Sequence, residues 1–265
     1  MSNGIDAITA AALGALQGLT EFLPVSSSGH VAVGAAFFGV RDHSLAFTVF
    51  LHLGTLFATL LLLRREVVSL LRESVACLSN PKRLVETPEG KLIVAIVIAT
   101  LITGVVGLLL RHAAETFSHN LRLVGVGFLV SAAVLLASRG ANGTRDEIVW
   151  QVAIVIGLVQ GVAVLPGISR SGATIAAAML LGIRGPAAFR YSFLISLPAI
   201  LGAAILESLG SGGFGSLGAP AWIGGATALV TGYLALVILR RIILVGRLWM
   251  FALYLIPLGL FLVAR

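Results

Sequence analysis

Charge is scarce in this chain: 11% of its 265 residues are Asp, Glu, Lys or Arg, against 58% hydrophobic ones. With a mean hydropathy of +1.05, that balance excludes an ordinary soluble domain and indicates an integral membrane protein. Cysteine is nearly absent. The single Cys77 excludes an internal disulfide and reads as an inert structural residue. A basic leader is lacking as well: Met1–Asn3 carries no Lys or Arg, and the apolar stretch after it has no small-residue cleavage site, so no removable signal peptide is expected. The net charge of +7 forms no compact basic domain, which argues against a nucleic-acid partner. It fits loops that meet anionic lipid instead.

What the chain has in abundance is long apolar runs. Six of them, near 44–63, 92–110, 121–138, 188–207, 220–239 and 247–264, approach the length of about 20 helical residues that crosses a bilayer. Two further apolar regions, 5–40 and 148–183, are interrupted midway by strings of Pro, Ser and Gly. Each half is too short to cross, so a helix, a break and a second short helix that leaves by the face it entered is expected. The fold class is therefore all-α: an integral membrane protein of six transmembrane helices plus two re-entrant helical hairpins. The chain is read as one membrane domain, 1–265, built from repeats at about 5–138 and 148–264. Three spans separate the hairpins, so the second repeat enters from the opposite side and the repeat is inverted.

The breaks themselves recur. Gln17 to His30 returns in altered form as Gln160 to Ala173, at a constant offset of 143 residues. Gly14, Gln17, Gly18, Ser26, Ser28, Gly29, Gly39 and Arg41 fall on Gly157, Gln160, Gly161, Ser169, Ser171, Gly172, Gly182 and Arg184. The copies differ in what they carry: Glu21 and His30 in the first, Arg170 in the second. One composite site, built where the copies meet, would leave that asymmetry.

Basic residues orient the chain. The expected topology places thirteen of them, from Arg64 to Arg247, on one side and four, Arg41, Arg111, Arg122 and Arg265, on the other. The positive-inside rule puts the thirteen in the cytoplasm. Both termini and the first hairpin then face outward. Segment 64–91 reads as a solvated cytoplasmic surface, and 210–218 as a flexible outward loop.

Glu21 lies in apolar sequence, four residues after Gln17 and on the same helix face. An ionisable group inside a membrane is costly and points to function, although a structural hydrogen-bonded carboxylate is the plainer reading. Ser26, Ser27 and Ser28 follow Pro24 and precede Gly29-His30. Serines there cap the second half-helix and leave free N–H groups that suit an anion. His30 suits a general base or acid beside a serine. Arg170, between Ser169 and Ser171, either grips phosphate with its fork or pairs with Glu21 across the repeats; an empty site can hold that pair until substrate displaces it. Thr174 adds a hydroxyl one turn on. His52 reads as a packing or interhelical hydrogen-bonding residue, and His112 and His119 as interfacial.

The strings GLTEFLPVSSSGH (Gly18 to His30) and LPGISRSGATI (Leu165 to Ile175) resemble the two signature motifs of undecaprenyl-pyrophosphate phosphatases, the bacitracin-resistance family. YSFLISLPAI (Tyr191 to Ile200) resembles it too, and length and hydropathy agree over nearly the whole chain. The resemblance implies a bacterial inner-membrane hydrolase that converts a C55 polyprenyl diphosphate to the monophosphate and inorganic phosphate, recycling the carrier for cell-wall synthesis. It implies Glu21, Ser27, His30 and Arg170 as catalytic residues. Gln17, Ser26, Ser28, Gly29, Ser169, Ser171, Gly172 and Thr174 are then substrate-binding, and Glu21 with Gln17 holds a divalent cation, Mg²⁺ or Ca²⁺. The departure is Gln17, where many members carry glutamate, so one metal-binding carboxylate is absent. Ser28 stands where threonine is frequent.

The resemblance leaves open whether Ser27 attacks phosphorus or His30 activates water. Broken helices in inverted repeats are also a transporter feature, so a carrier or flippase of a phosphorylated lipid or small anion is the alternative. Oligomeric state is not legible.

Overall fold

Polar residues at the ends of the apolar runs start the helices. Asp6 accepts the N–H of Thr9 at 2.7 Å, Thr87 that of Gly90 at 3.0 Å, and Asn120 those of Arg122 and Leu123 at 3.0 and 3.3 Å. The computed structural model describes residues 6–37, 45–141, 143–208 and 218–265, the side chains of 35–37, 45–46 and 206–208 apart. Gly39, Arg41, His43 and residues 210–217 lie outside the described residues. The helices run α1 Ala7–Phe22, α2 Ser27–Phe37, α3 Leu45–Leu62, α4 Arg64–Ser79, α5 Arg83–Glu86, α6 Pro88–Leu109, α7 Arg111–Ser118, α8 Leu121–Ala137, α9 Trp150–Val162, α10 Arg170–Leu180, α11 Gly185–Ser208 and α12 Ala219–Leu244. A 3-10 turn, Leu248–Phe251, leads into α13, Ala252–Ala264. Among the described residues no strand forms; one isolated bridge joins Arg145 and Ile183.

Every expected apolar stretch is helical. Pro88–Leu109, Gly185–Ile205 and Ala219–Leu244 are long and apolar enough to cross a bilayer by themselves, and counting each of two bent pairs as one span raises the number to as many as five among the described residues. Leu101, Leu109, Leu234, Leu253 and Phe261 point outward and are exposed, as suits helices whose surroundings are hydrocarbon. The chain is a multi-pass, all-helical membrane protein. Segment 64–91 is exposed over most of its length, as expected of a surface, and it is helical: α4 and α5 occupy it, α4 turning 84° away from α3 at Leu63. Arg111–Ser118 is likewise a helix, set at 110° to α8, and His112 is exposed on it.

Long contacts cross between the halves, among them α1 along α12, α3 along α12 and α9 along α6. Small residues permit the first. A Cβ on Gly18 would stand 2.0 Å from Thr231 Oγ1 and 2.5 Å from the Ala228 carbonyl, so only glycine allows this approach. α8 pairs with α13, and α10 is wedged against α8, α9 and α11. These contacts bring the two helix breaks, 23–26 and 163–169, face to face.

Candidate functional site

Ser26 joins the breaks. Its φ of +71° is left-handed, a conformation costing a non-glycine residue about 1–2 kcal/mol. The turn aims the Ser26 hydroxyl at the second break, where it accepts the Gly167 N–H at 3.1 Å. It also receives the Gly29 N–H at 3.4 Å, the cap of α2. Ser131 of α8 pins the other break, donating to the Gly167 carbonyl at 2.9 Å and accepting the Ser169 N–H at 2.8 Å. Ser169 then caps α10 through the Gly172 N–H at 3.1 Å, which presents Arg170 as its first residue. Gly172 itself lies against Pro24, whose Cβ is 2.9 Å from where a side chain would begin.

Glu21 is the hub of what the breaks enclose. Its side chain is 3% exposed, deep for a carboxylate. Oε1 accepts the Arg170 guanidinium. Oε2 accepts the Ser27 hydroxyl at 2.6 Å and the Gln17 amide at 2.9 Å, and the His52 Nδ1 lies 3.3 Å away. The same Gln17 nitrogen stands 2.8 Å from His52 Nδ1. A buried charge with this many donors is satisfied rather than stranded.

The group opens on a cavity of about 480 Å³. Glu21, Ser26, Ser27, Ser28, His52, Ser169 and Arg170 form its polar end. Thr20, Thr100, Thr103 and Gln160 add polar groups to the lining, and the rest of the α6 and α11 walls, including Gly104, Gly107, Leu108, Pro198, Ile200 and Ala203, is apolar or lacks a side chain. The chemistry of this lining suits an anion beside Arg170 and a hydrocarbon along the apolar wall.

The expected residues divide into two groups. Gln17, Glu21, Ser27 and Arg170 come together, with Ser26, Ser28 and Ser169 lining the same cavity. His30 stands apart from Ser27. Its Nδ1 is 2.9 Å from the Ser26 carbonyl, its Nε2 is 2.8 Å from the Tyr254 hydroxyl, and its ring stacks on Tyr254. Gly29, Ser171, Gly172 and Thr174 stand behind the cavity: Gly29 against Phe128, Ser171 at 3.4 Å from Ser169 Oγ, and Thr174 at 2.6 Å from Ser192 Oγ.

Sequence reasoning left out residues the fold adds. His52 does make the interhelical hydrogen bond expected of it, but within the site. Ser131 and Tyr254 carried no signal, since their partners are distant in sequence. Gln160 had one, its register with Gln17. It lines the cavity and donates to Thr103 Oγ1 at 3.1 Å, while its Oε1 and the Thr100 hydroxyl are buried without a partner among the described residues.

A resident divalent cation does not fit this donor set. Among the described residues no cluster of three or more His, Cys, Asp or Glu side chains is placed to hold a metal. Both oxygens of Glu21 are occupied by N–H and O–H donors, and Gln17 turns a donor, not an acceptor, toward it. Holding Mg²⁺ or Ca²⁺ between Gln17 and Glu21 would require displacing the guanidinium.

Comparison with known proteins gives consistent matches. The family described as bacitracin resistance protein BacA matches residues 10–261. The chain is 43% identical over 262 residues to an undecaprenyl-diphosphatase of Desulforapulum autotrophicum, covering 94% of each chain. It is 41% identical over 270 residues to one of Desulfosudis oleivorans, covering 96% of this chain and 97% of the other. With one of Methanosphaera stadtmanae it shares 35% over 267 residues, covering 97% and 96%.

Proposed function

This chain belongs to the bacitracin resistance protein BacA family, and from that premise we propose that it is an undecaprenyl-diphosphatase. It hydrolyses undecaprenyl diphosphate to undecaprenyl phosphate and inorganic phosphate, which recycles the lipid carrier. The observation that carries the reading is the Ser27–Glu21–Arg170 constellation at the polar end of an apolar-walled cavity. It provides a hydroxyl nucleophile, a proton acceptor and a phosphate clamp, with room beside them for an isoprenoid tail.

The diphosphate draws the Arg170 fork away from Glu21, binding its oxygens through charge-assisted hydrogen bonds. Glu21, released from its counter-ion, takes the Ser27 proton along the existing 2.6 Å hydrogen bond. Ser27 Oγ bonds to the terminal phosphorus as the bridging P–O bond breaks, and undecaprenyl phosphate leaves. Water then attacks the phosphoserine phosphorus, Glu21 returns its proton to the departing Ser27 Oγ, and the water's remaining proton leaves with the released phosphate. Arg170 and the N-terminus of α10 stabilise the charge on the transferred group. His30 holds the first break through the Ser26 carbonyl and takes no proton in this scheme. A divalent cation, Mg²⁺ or Ca²⁺, would neutralise diphosphate charge as the substrate's counter-ion, and the Gln17–Glu21 pair as arranged would not hold it by itself.

The finer architecture follows the same reading. Residues 5–138 and 148–264 form one membrane domain as inverted repeats, each a re-entrant hairpin followed by three spans. Shifting α2 by the motif offset of 143 lands on 170–180, the bounds of α10, in support of this. Both termini and the mouth of the site face outward, with the Arg-rich segments in the cytoplasm of a bacterial inner membrane.

Phosphate release from undecaprenyl diphosphate by the purified protein tests the function, and rapid quench with a label in the terminal phosphate tests the serine step. Labelled protein that disappears in Ser27→Ala is expected. Release without a labelled intermediate would instead assign the attack to water with Glu21 as base. No release from folded protein would favour a carrier of phosphorylated lipid.

A further inference from the structure

We propose that α4, α5 and the start of α6 form a second lipid site, which binds the phosphate of an anionic phospholipid at the membrane surface. It depends on the membrane setting alone and lies apart from the phosphatase cavity.

α4 leaves the end of α3 at 84° with only Leu63 between them, so it runs along the surface that α3 has just reached. Glu73 and Cys77 face inward and are buried. On the opposite face Val68, Leu71, Val75 and Leu78 are 43, 62, 66 and 84% exposed. Their spacing of three, four and three residues puts them in one stripe. Arg65 and Arg72 flank that stripe. An apolar stripe with a basic flank on a helix parallel to the membrane is the design of an interfacial helix, its apolar side sunk among acyl chains.

Beside the stripe is a cavity of about 810 Å³ lined by Arg64, Arg65, Arg72 and Arg83, together with Glu73 and Glu89. Arg83 is already committed: its Nε and one terminal nitrogen donate to Glu73 at 3.0 and 2.6 Å, and Thr87 donates to the same carboxylate at 2.7 Å. That network fixes α5 against α4 and shapes the cavity floor. Arg64, Arg65 and Arg72 have no carboxylate within ion-pair distance among the described residues. Three guanidinium forks beside a membrane-inserted stripe match a phosphodiester whose acyl chains lie along Val68, Leu71 and Val75. A free phosphate would satisfy the forks but not the stripe.

The test uses the full chain in detergent, with phosphatidylglycerol, phosphatidylcholine or inorganic phosphate added, and reads retained lipid by native mass spectrometry and the thermal midpoint. Retention of phosphatidylglycerol over phosphatidylcholine is expected, with no effect of inorganic phosphate. The combined Arg64→Gln, Arg65→Gln, Arg72→Gln variant should lose that preference by on the order of tenfold or more, and Arg72→Gln alone by about fivefold. Leu71→Ser with Val75→Ser should also weaken it, with all arginines in place. Unchanged phosphate release in the same variants shows that they are folded. Equal phosphatidylglycerol retention by the arginine variants, or equal stabilisation by inorganic phosphate, would overturn the proposal. So would a wild-type protein that runs as a dimer and a Leu71→Ser, Val75→Ser variant that runs as a monomer with lipid preference intact, which would make the stripe an interface between copies.

Discussion

Arg170 and Glu21, 149 residues apart, form an ion pair that ties the start of α10 to the end of α1. In the proposed mechanism the pair is both a structural brace and the resting form of the catalytic groups, and the two roles predict different things. Arg170→Ala strands a carboxylate that is 3% exposed, so it should cost about 3–5 kcal/mol of stability as well as abolish turnover. Glu21→Gln combined with Arg170→Ala should recover much of the stability and none of the activity. Thermal unfolding in detergent beside phosphate release measures both; an Arg170→Ala protein as stable as wild type would show the pair contributes nothing to the fold.

Arg170→Lys keeps the charge but not the fork. A single ammonium cannot hold two phosphate oxygens in parallel, so kcat/KM should fall on the order of 10- to 100-fold while folding is largely retained. Activity close to wild type would leave Arg170 a point charge and no more.

Gln17→Glu places a second carboxylate beside Glu21, in the position where a divalent cation does not now fit. Activity should become more dependent on Mg²⁺, with half-saturation at a concentration on the order of tenfold lower and stronger inhibition by EDTA. An unchanged Mg²⁺ titration would separate position 17 from any cation.

Two glycines separate packing from substrate space. Gly18→Ala forces α1 off α12 and should destabilise by about 1–3 kcal/mol. Gly104, which also sits in a helix, has nothing within 4 Å of where a Cβ would be, yet it lines the cavity. Gly104→Ala should leave stability equal or higher and raise KM for the C55 substrate more than for a short-chain diphosphate. If KM rises equally for both, the tail does not pass Gly104.

Glu73 gives a pH signature for the α4–α5 unit. Hydrogen bonds from Arg83 and Thr87 hold its carboxyl below the ordinary carboxylate range. Its folded value is depressed, so its stabilisation is present above the unfolded value, about 4.3, and fades as pH falls through the folded one. Wild type should therefore lose its thermal advantage over Glu73→Gln as pH is lowered past about 4. A constant difference across that range would mean the Arg83 pairing is unimportant.

Much of the site was legible before any fold was known, because membrane insertion makes polar residues conspicuous. Glu21, Ser27 and Arg170 are conspicuous because each interrupts sequence that is otherwise apolar. His30 was conspicuous for the same reason, but proximity in sequence is not contact. One turn of α2 turns its ring toward Tyr254, and the Ser27 hydroxyl is left to Glu21. Segment 64–91 was obscured by its mixed composition: its charges fall on one side of α4 and its apolar residues on another, a separation that only the helix creates.

Hydrophobic length and the punctuation of Pro, Ser and Gly determined the helices, their breaks and the membrane setting, since these depend on local backbone chemistry and on transfer to lipid. Which residues meet was decided by the tertiary structure. His52 reaches Gln17, Ser131 pins Gly167, and Arg170 finds Glu21 only once α1 lies on α12 and α9 on α6. Those crossings are set by side-chain fit between distant segments, and no periodicity within either segment encodes it.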